Sequence, residues 1–385
     1  MIDEINYNLT KKMDNNIIEK ELKELLKLNE DARYQLIIDH DFKNDPQKLK
    51  YKLDISKEND NLGVNDIFEI YISYKDKKTY IISPNINNYN LDIYELNDII
   101  KISSLTGHRN RISTIKYFIE KYKNNEYLIS GDFNQIVIIW DLTVNYNIKY
   151  KIDTKYENLS IYSCLLLLCN NYYDTANNKY NENYIITSTR NSSKELDKSA
   201  TKIYSLYSGE FIKSIKNSNN NNILYLLPWY NKENNNFYII QFADKKIVIN
   251  NLLEDELYSE LINEPEDSHY NGFIYNIGKK DFLFSSSYKG NIDIWDLYNK
   301  KIFQVIKMKN CNIFNIIQWN KKYIICTDYK NKCFKIIDLT KNKIVGEIKS
   351  GNKSSIKSIK KIYSFKYGEC LFSAGNDKRI KLWNF

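Results

Sequence analysis

Apolar and polar residues alternate along most of this chain in short runs, and the runs repeat. Ile138-Ile139-Trp140-Asp141-Leu142, Ile292-Asp293-Ile294-Trp295-Asp296-Leu297 and Ile380-Lys381-Leu382-Trp383-Asn384 are versions of one phrase. Decayed copies stand at Ile93-Tyr94-Glu95-Leu96, Ile203-Tyr204-Ser205-Leu206, Val248-Ile249-Asn250-Asn251-Leu252 and Ile336-Ile337-Asp338-Leu339. Counted from the position of Trp140, the steps between copies are 46, 64, 46, 45, 42 and 46 residues. A fixed period in this range marks one supersecondary unit copied along the chain.

The cleanest copy runs from Thr106 to Leu142. Thr106-Gly107-His108 opens it, Ile112, Ile115 and Tyr117 alternate along a first strand, and Tyr127-Leu128-Ile129-Ser130-Gly131 forms a second. Ile136 to Trp140 forms a third, and Tyr146 to Ile152 a fourth. A four-stranded meander cannot cover its own apolar faces, whereas copies packed around a ring bury them. The pattern therefore predicts an all-β fold, seven four-stranded antiparallel blades over residues 48–385. The last copy has no outer strand after Trp383, so Leu49-Lys50-Tyr51-Lys52-Leu53-Asp54-Ile55 is expected to supply it and close the ring.

The third copy is longer than the others. Its excess lies in Asn170 to Asn183 and Asn191 to Ala200, polar stretches read as solvated loops, either padding or a binding element. Ahead of the ring, residues 1–47 form an extension with a helix predicted over 16–29. Ile17, Ile18, Leu22, Leu25 and Leu26 share one face, and Glu19 with Lys23 makes an i,i+4 pair. That helix either packs on the ring or docks a second partner; both readings stand.

Gly107-His108, Ser130-Gly131 and Trp140-Asp141 stand at the spacing of the WD-repeat β-propeller family, which these repeats resemble over residues 48–385. The resemblance implies a buried hydrogen-bond network of His, Ser or Thr, Asp and Trp in each blade, which must be fully satisfied to stabilise. In the second copy it assigns His108, Ser130 and Trp140, with Asn134 replacing the turn Asp. The fifth keeps Ser285 and Trp295, with His269 at its opening and Lys289 in place of the Asp. Residues 322 to 339 offer Thr327, Asn331 and Asp338, and the last copy keeps Ser373, Asp377 and Trp383, with Asn352 near the place of the His. No copy is complete on this reading, so some blades are expected to satisfy those groups otherwise.

Composition narrows the setting. The 43% hydrophobic and 14% aromatic content, with 33 Tyr, suits half-buried strands. The Asn runs accompany a general excess of Lys, Asn, Ile and Tyr and carry little functional weight. A net charge of +8 on 385 residues favours weak attraction to polyanions without marking a nucleic-acid binder. Cys164, Cys169, Cys311, Cys326, Cys333 and Cys370 include no Cys-x-x-Cys pair and most sit in apolar patterns, as reduced thiols do in a cytoplasmic or nuclear protein. No signal-peptide core opens the chain, and its longest apolar run, Cys164 to Cys169, is too short to span a bilayer.

Candidate chemistry is sparse. The histidines are His40, His108 and His269, and no metal-ligand spacing, nucleophile–base pairing or Gly-rich phosphate loop accompanies them. Asp141, Asp296 and Asp338 recur once per copy, as structural residues do. The reading is a non-enzymatic protein with no cofactor and no metal. The resemblance implies that the loops entering the first strand and joining the second to the third share the narrower face. There they would carry Arg109, Arg111, Phe133, Lys245, Lys246, Tyr288, Lys289, Tyr329, Lys330, Lys378 and Arg379. Aromatic and basic groups together suit an acidic or phosphorylated peptide of a partner in a multi-subunit complex. The alternative is RNA contact through the same loops in a ribonucleoprotein assembly. Ordinary solvated turns would look the same. The basic stretch Lys353, Lys357, Lys360 and Lys361 is read as the solvent side of a first strand. No Phe-Arg-Arg-Gly segment of phosphoinositide-binding propellers appears. The Arg found two residues after Trp-Asp in many cullin-ligase receptors is here Thr143 or Tyr298.

Overall fold

A strand buried on both faces must be apolar at nearly every position, and the third strand of the second copy shows this: Val137 and Ile139 pack one way, Ile138 and Trp140 the other. The computed structural model describes residues 42–54, 68–73, 76, 78–120, 125–154, 160–167, 173–174, 179–180, 183–190, 200–216, 223–243, 245–252, 257–262, 267–277, 279–349, 355–364, 366–377 and 379–385. The helix expected over 16–29 lies outside the described residues, as does most of the long-loop sequence of the third copy.

Seven four-stranded antiparallel sheets follow one another. Blade 1 is Glu69–Ile72, Thr79–Pro84, Leu91–Glu95 and Ile100–Leu105; blade 2 is Ile112–Glu120, Asn125–Asp132, Ile136–Asp141 and Asn147–Asp153. Blade 3 is Ser160–Leu167, Tyr184–Arg190, Ala200–Ser205 and Phe211–Lys216, with a small hairpin, Tyr173–Asp174 against Lys179–Tyr180, inserted after its first strand. Blade 4 is Ile223–Asn231, Asn236–Ala243, Lys246–Asn251 and Leu257–Leu261; blade 5 is His269–Ile277, Lys280–Ser287, Asn291–Asp296 and Lys301–Lys307. Blade 6 is Ile313–Gln318, Tyr323–Asp328, Cys333–Asp338 and Lys343–Lys349. Blade 7 takes Ile356–Ser364, Gly368–Gly375 and Ile380–Asn384 from the end of the sequence and its outer strand, Lys50–Asp54, from the beginning. In that closing pair Lys50 faces Asn384 and Tyr51 faces Trp383.

Seven separate apolar clusters occupy the seven seams between neighbouring blades. One joins Ile81 and Tyr94 of blade 1 to Phe372 and Leu382 of blade 7, so the ring is continuous through the seam that brings the two ends of the sequence together. The last leucine of each phrase has a constant task. Leu96, Leu142, Leu206, Leu252, Leu297 and Leu339 each donate a backbone N–H to a carbonyl at the start of their own second strand, at 2.8–3.2 Å. This hydrogen bond, with the leucine side chain mostly buried, fixes where each third strand ends.

A strap precedes the closing strand. Phe42 is buried edge-on against Trp319 (centroids 4.7 Å apart), with the Lys361 ammonium 4.7 Å from its own ring centre. The Glu369 carboxylate accepts the backbone N–H groups of Lys43 and Asn44 at 2.7 and 2.9 Å, and Trp319 Nε1 donates to the Asn44 carbonyl at 2.9 Å. Asp45 caps the short 3₁₀ turn Pro46–Lys48, and Leu49 drops into the seam between blades 6 and 7.

Candidate partner-binding face and central channel

Blade 2 carries an unbroken hydrogen-bond chain. Trp140 Nε1 donates to Ser130 Oγ at 2.8 Å, Ser130 Oγ lies 2.6 Å from His108 Nε2, and His108 Nδ1 lies 2.8 Å from Asp132 Oδ2. The partners set the tautomer: Nδ1 carries the proton toward the carboxylate, and Nε2 accepts from the serine. The carboxylate is therefore Asp132, at the end of the second strand, and not the turn residue Asn134. Asn134 accepts from Asn110 Nδ2 at the surface. Asp132 serves twice, since its Oδ1 also accepts the N–H groups of Asn134 and Ile136 and caps the turn. The expectation that no copy is complete is corrected by this blade. Gly107 precedes His108 because the Trp140 ring packs there; a Cβ would stand 3.1 Å from it.

Blade 5 has the same parts without the carboxylate. Trp295 Nε1 donates to Ser285 Oγ at 3.0 Å, but the serine turns to the Asp293 carbonyl. Ser287 occupies the counterpart of Asp132 and only caps the turn, accepting the Asn291 N–H. His269 is left fully buried, with no hydrogen-bond partner among the described residues on either ring nitrogen and Asp293 Oδ2 at 3.8 Å. Burial pushes its imidazole down to about 4, against a smaller upward pull from Asp267. In blade 7 Trp383 donates to Ser373 at 3.0 Å, and Asp377 accepts from the Arg379 N–H; Asn352 is outside the described residues. In blade 6 Thr327 accepts the Asn315 N–H, and Asp328 holds Asn331. Blade 4 replaces the network with Gln241 donating to Asn250 at 2.8 Å.

The recurring carboxylates of the phrase are turn caps. Asp141 accepts the N–H groups of Thr143 and Val144, Asp296 those of Tyr298 and Asn299, and Asp338 those of Thr340 and Lys341. Burial would raise Asp296 and Asp338. The amides of Asn299, and the hydroxyl and amides of Thr340 and Lys341, outweigh it and hold both below the usual carboxylate range.

The two sets of loops named from the sequence meet on one face. Phe133, Tyr288, Tyr329 and Asn376 each donate a backbone N–H to a residue entering the first strand of the same blade: Arg111, Ser268, Asn312 and Ser355, at 2.8–3.1 Å. Arg111 also lies over the Phe133 ring, 5.6 Å from its centre. On blades 5 and 6 the aromatic residues merge. Tyr270 stacks on Phe314 (4.4 Å), Phe314 lies 4.6 Å from Tyr329, and Tyr288, half exposed, flanks them at 6.2 and 6.4 Å. Asn376 of blade 7 reaches the Tyr329 hydroxyl at 3.3 Å. Arg109, Lys289, Lys330 and Arg379 are exposed. Lys245 sits in the tight turn before Lys246 with φ +73°, while Lys246 itself is buried and pairs with Glu260 at 2.7 Å. Lys378 lies outside the described residues.

Tyr270 and Phe314 were not among the sequence candidates. They are bulge residues: the pairing of first and second strands slips between His269 and Asn271 and between Ile313 and Ile316. The same slip recurs at Ser113, Leu224 and Lys357. A bulge leaves one residue unpaired and re-aims its side chain. Ser113, Leu224, Tyr270 and Lys357 all line the central channel, a cavity of about 690 Å³ to which the first strands of all seven blades contribute. Within it Lys360 of blade 7 bonds to Glu69 of blade 1, so Lys360 is a channel residue rather than the solvent side of a strand.

Among the described residues no helix is long and apolar enough to cross a membrane, and no cluster of His, Cys, Asp or Glu could hold a metal ion. No curated protein matches the chain at a significant level. The WD domain, G-beta repeat family model matches residues 100–141 and 343–384. Each match begins with the outer strand of one blade and runs through the three inner strands of the next, which is how consecutive blades are tied together. Seven such blades, the complete network in blade 2 and the two matched repeats make this chain a seven-bladed β-propeller that carries WD repeats.

Proposed function

We propose that the protein is a non-enzymatic scaffold subunit that binds a protein or peptide partner on the loop face of its propeller. WD-repeat propellers generally serve as protein-interaction scaffolds. The observation that carries the reading here is the aromatic ledge of Tyr270, Tyr288, Phe314 and Tyr329, with exposed Lys289, Lys330 and Arg379 near it. Large aromatic side chains ordered by their neighbours contribute most to interface energy, because little rotamer freedom remains to be lost on binding.

The test is affinity capture on the full chain with quantitative mass spectrometry, with and without nuclease, comparing the native protein with the Arg109→Ala, Tyr288→Ala, Tyr329→Ala, Arg379→Ala variant. The reading expects the same main partners after nuclease and their loss in the variant. Partners that vanish with nuclease would support RNA contact instead. Undiminished recovery by a folded variant would remove the loop face as the binding surface.

A further inference from the structure

The charge of this chain is concentrated in two blades. Residues 267–349, which carry blades 5 and 6, hold 15 lysines, no arginine and seven carboxylates, a surplus of eight that equals the surplus of all 385 residues. Six of those carboxylates are aspartates at most 6% exposed, and the seventh, Glu347, pairs with Lys335. Eight of the lysines share one face. In an antiparallel meander the turns joining first to second and third to fourth strands emerge together, opposite the loop face. Those turns carry Lys279, Lys280, Lys300 and Lys301 in blade 5 and Lys321, Lys322, Lys341 and Lys343 in blade 6, all exposed. The Leu297 and Leu339 N–H groups tie the two turns of each blade, and the Tyr275 hydroxyl donates to the Lys321 carbonyl across the seam at 2.9 Å. The carboxylates at this end, Asp281, Asp296 and Asp338, are buried; Lys280 approaches Asp296 to 3.8 Å and Lys322 approaches Asp338 to 3.7 Å. The strap beside blade 6 adds exposed Lys43 and Lys48 against Asp45. Corresponding turns of other blades include exposed Asp76, Asp98, Glu210 and Glu233. Glu254, Asp255 and Glu256, which follow the third strand of blade 4, lie outside the described residues.

Apolar side chains rim the same face. Ile277, Ile302, Phe303 and Ile344 are 37–61% exposed, and each stands next to or one residue removed from a lysine of these turns. Phe303 leans on Phe282, centroids 5.0 Å apart, and keeps most of its surface in solvent. We propose that this basic, apolar-rimmed face of blades 5 and 6 docks on an anionic lipid surface, with its lysines at the headgroups and Phe303 entering the interface. Clusters of lysines are drawn to the negative potential of acidic lipids, and their long stems lie along apolar neighbours while the ammonium stays in water. Charge alone holds a protein to a membrane reversibly; an apolar group beside it supplies the second, salt-resistant part of the attachment. The choice of residues favours lipid over other polyanions. Nucleic acid and protein partners are gripped chiefly through arginine and stacking aromatic groups, and this face has lysine and aliphatic side chains instead. The site does not depend on the partner-binding reading, since it lies opposite the aromatic ledge.

Co-sedimentation of the full chain with vesicles tests it, using phosphatidylcholine alone and phosphatidylcholine with about 30 mol% phosphatidylserine. Binding is expected only to the anionic vesicles and should fall steeply as salt rises from about 0.1 to 0.4 M. Each lysine at such a surface is worth about fivefold in affinity. Lys279→Gln, Lys301→Gln, Lys321→Gln and Lys341→Gln combined should therefore weaken binding at least about a hundredfold. The same number of charges removed from the loop face, by Lys289→Gln, Lys309→Gln, Lys330→Gln and Lys332→Gln, should leave it within about threefold. Phe303→Ser should weaken binding at least about threefold, and the loss should persist at the higher salt. Melting curves of each variant without vesicles separate loss of the surface from loss of the fold. Equal binding to neutral vesicles, equal losses in the loop-face variant, or full binding by Phe303→Ser would overturn the proposal. So would tighter binding of oligouridylate or polyglutamate through the same four lysines, which would give this face to nucleic acid or to an acidic protein segment.

Discussion

His269 gives this propeller a defined acid weakness. Its imidazole is fully buried, has no hydrogen-bond partner among the described residues, and is held near pKa 4 chiefly by burial. In the unfolded chain the group titrates near its ordinary 6.5. The unfolded state therefore binds the extra proton first, and acid favours unfolding. The contribution of neutral His269 is fully present above about pH 6.5, declines through the window between, and is lost below about pH 4. At 1.36 kcal/mol per pH unit the whole window is worth about 3 kcal/mol. The assay is urea denaturation of the native chain and of His269→Gln between pH 4 and 8, read as the difference between the two. Carboxylates common to both proteins cancel in that difference. The native chain should lose about 3 kcal/mol more than the variant from pH 7 to pH 4. A difference that stays flat with pH would show that water or a rearranged Asp267 or Asp293 already serves the ring, and the argument from burial would fail. Ser287→Asp, which supplies a carboxylate where blade 2 has Asp132, should narrow the acid window by raising the folded-state pKa of His269.

Three further outcomes follow from the packing. Phe42→Ala should cost about 3–5 kcal/mol, since a buried ring and its Trp319 and Lys361 contacts go together, whereas Tyr51→Ala, half exposed on the closing strand, should cost about 1 kcal/mol or less; paired denaturation curves decide it. Deleting residues 1–56 removes strap and closing strand at once, and a truncated chain melting as sharply and as high as the full one would show that neither holds the ring. Asp132→Ala should destabilise by about 2–4 kcal/mol, leaving His108 Nδ1 without its carboxylate and the turn uncapped, while Asn134→Ala should stay within about 0.5 kcal/mol; the reverse order in thermal melts would return the network carboxylate to the turn.

The ring was legible in the sequence because each blade needs two buried faces, and a third strand such as Ile136 to Trp140 shows this by being apolar throughout. The loop face was legible through Tyr288, Tyr329 and Arg111, whose positions repeat with the phrase. Three things were not. Asp132 stands two residues from the expected position, and only coordinates show that a carboxylate there can reach both the histidine and the turn. Tyr270 and Phe314 occupy bulges, where one extra residue shifts the alternation on which inside and outside are read. The Phe42 strap is a short irregular segment with no periodicity, recognised only by contacts hundreds of residues away.

Closing one sheet with strands from opposite ends of the sequence imposes an order on synthesis. Lys43 meets Glu369 across 326 residues, so the strap is made long before its groove exists. At about 5–20 residues per second, that interval is on the order of half a minute. Throughout it, Phe42 and Leu49 have no seam to enter, and the nascent blades form an open stack with an unpaired edge. Such edges pair with whatever strand is near, including the same edge on a neighbouring nascent chain. A reading frame cut short before Trp383 would fix the protein in that condition permanently. Late truncations should therefore yield aggregation out of proportion to the few residues removed.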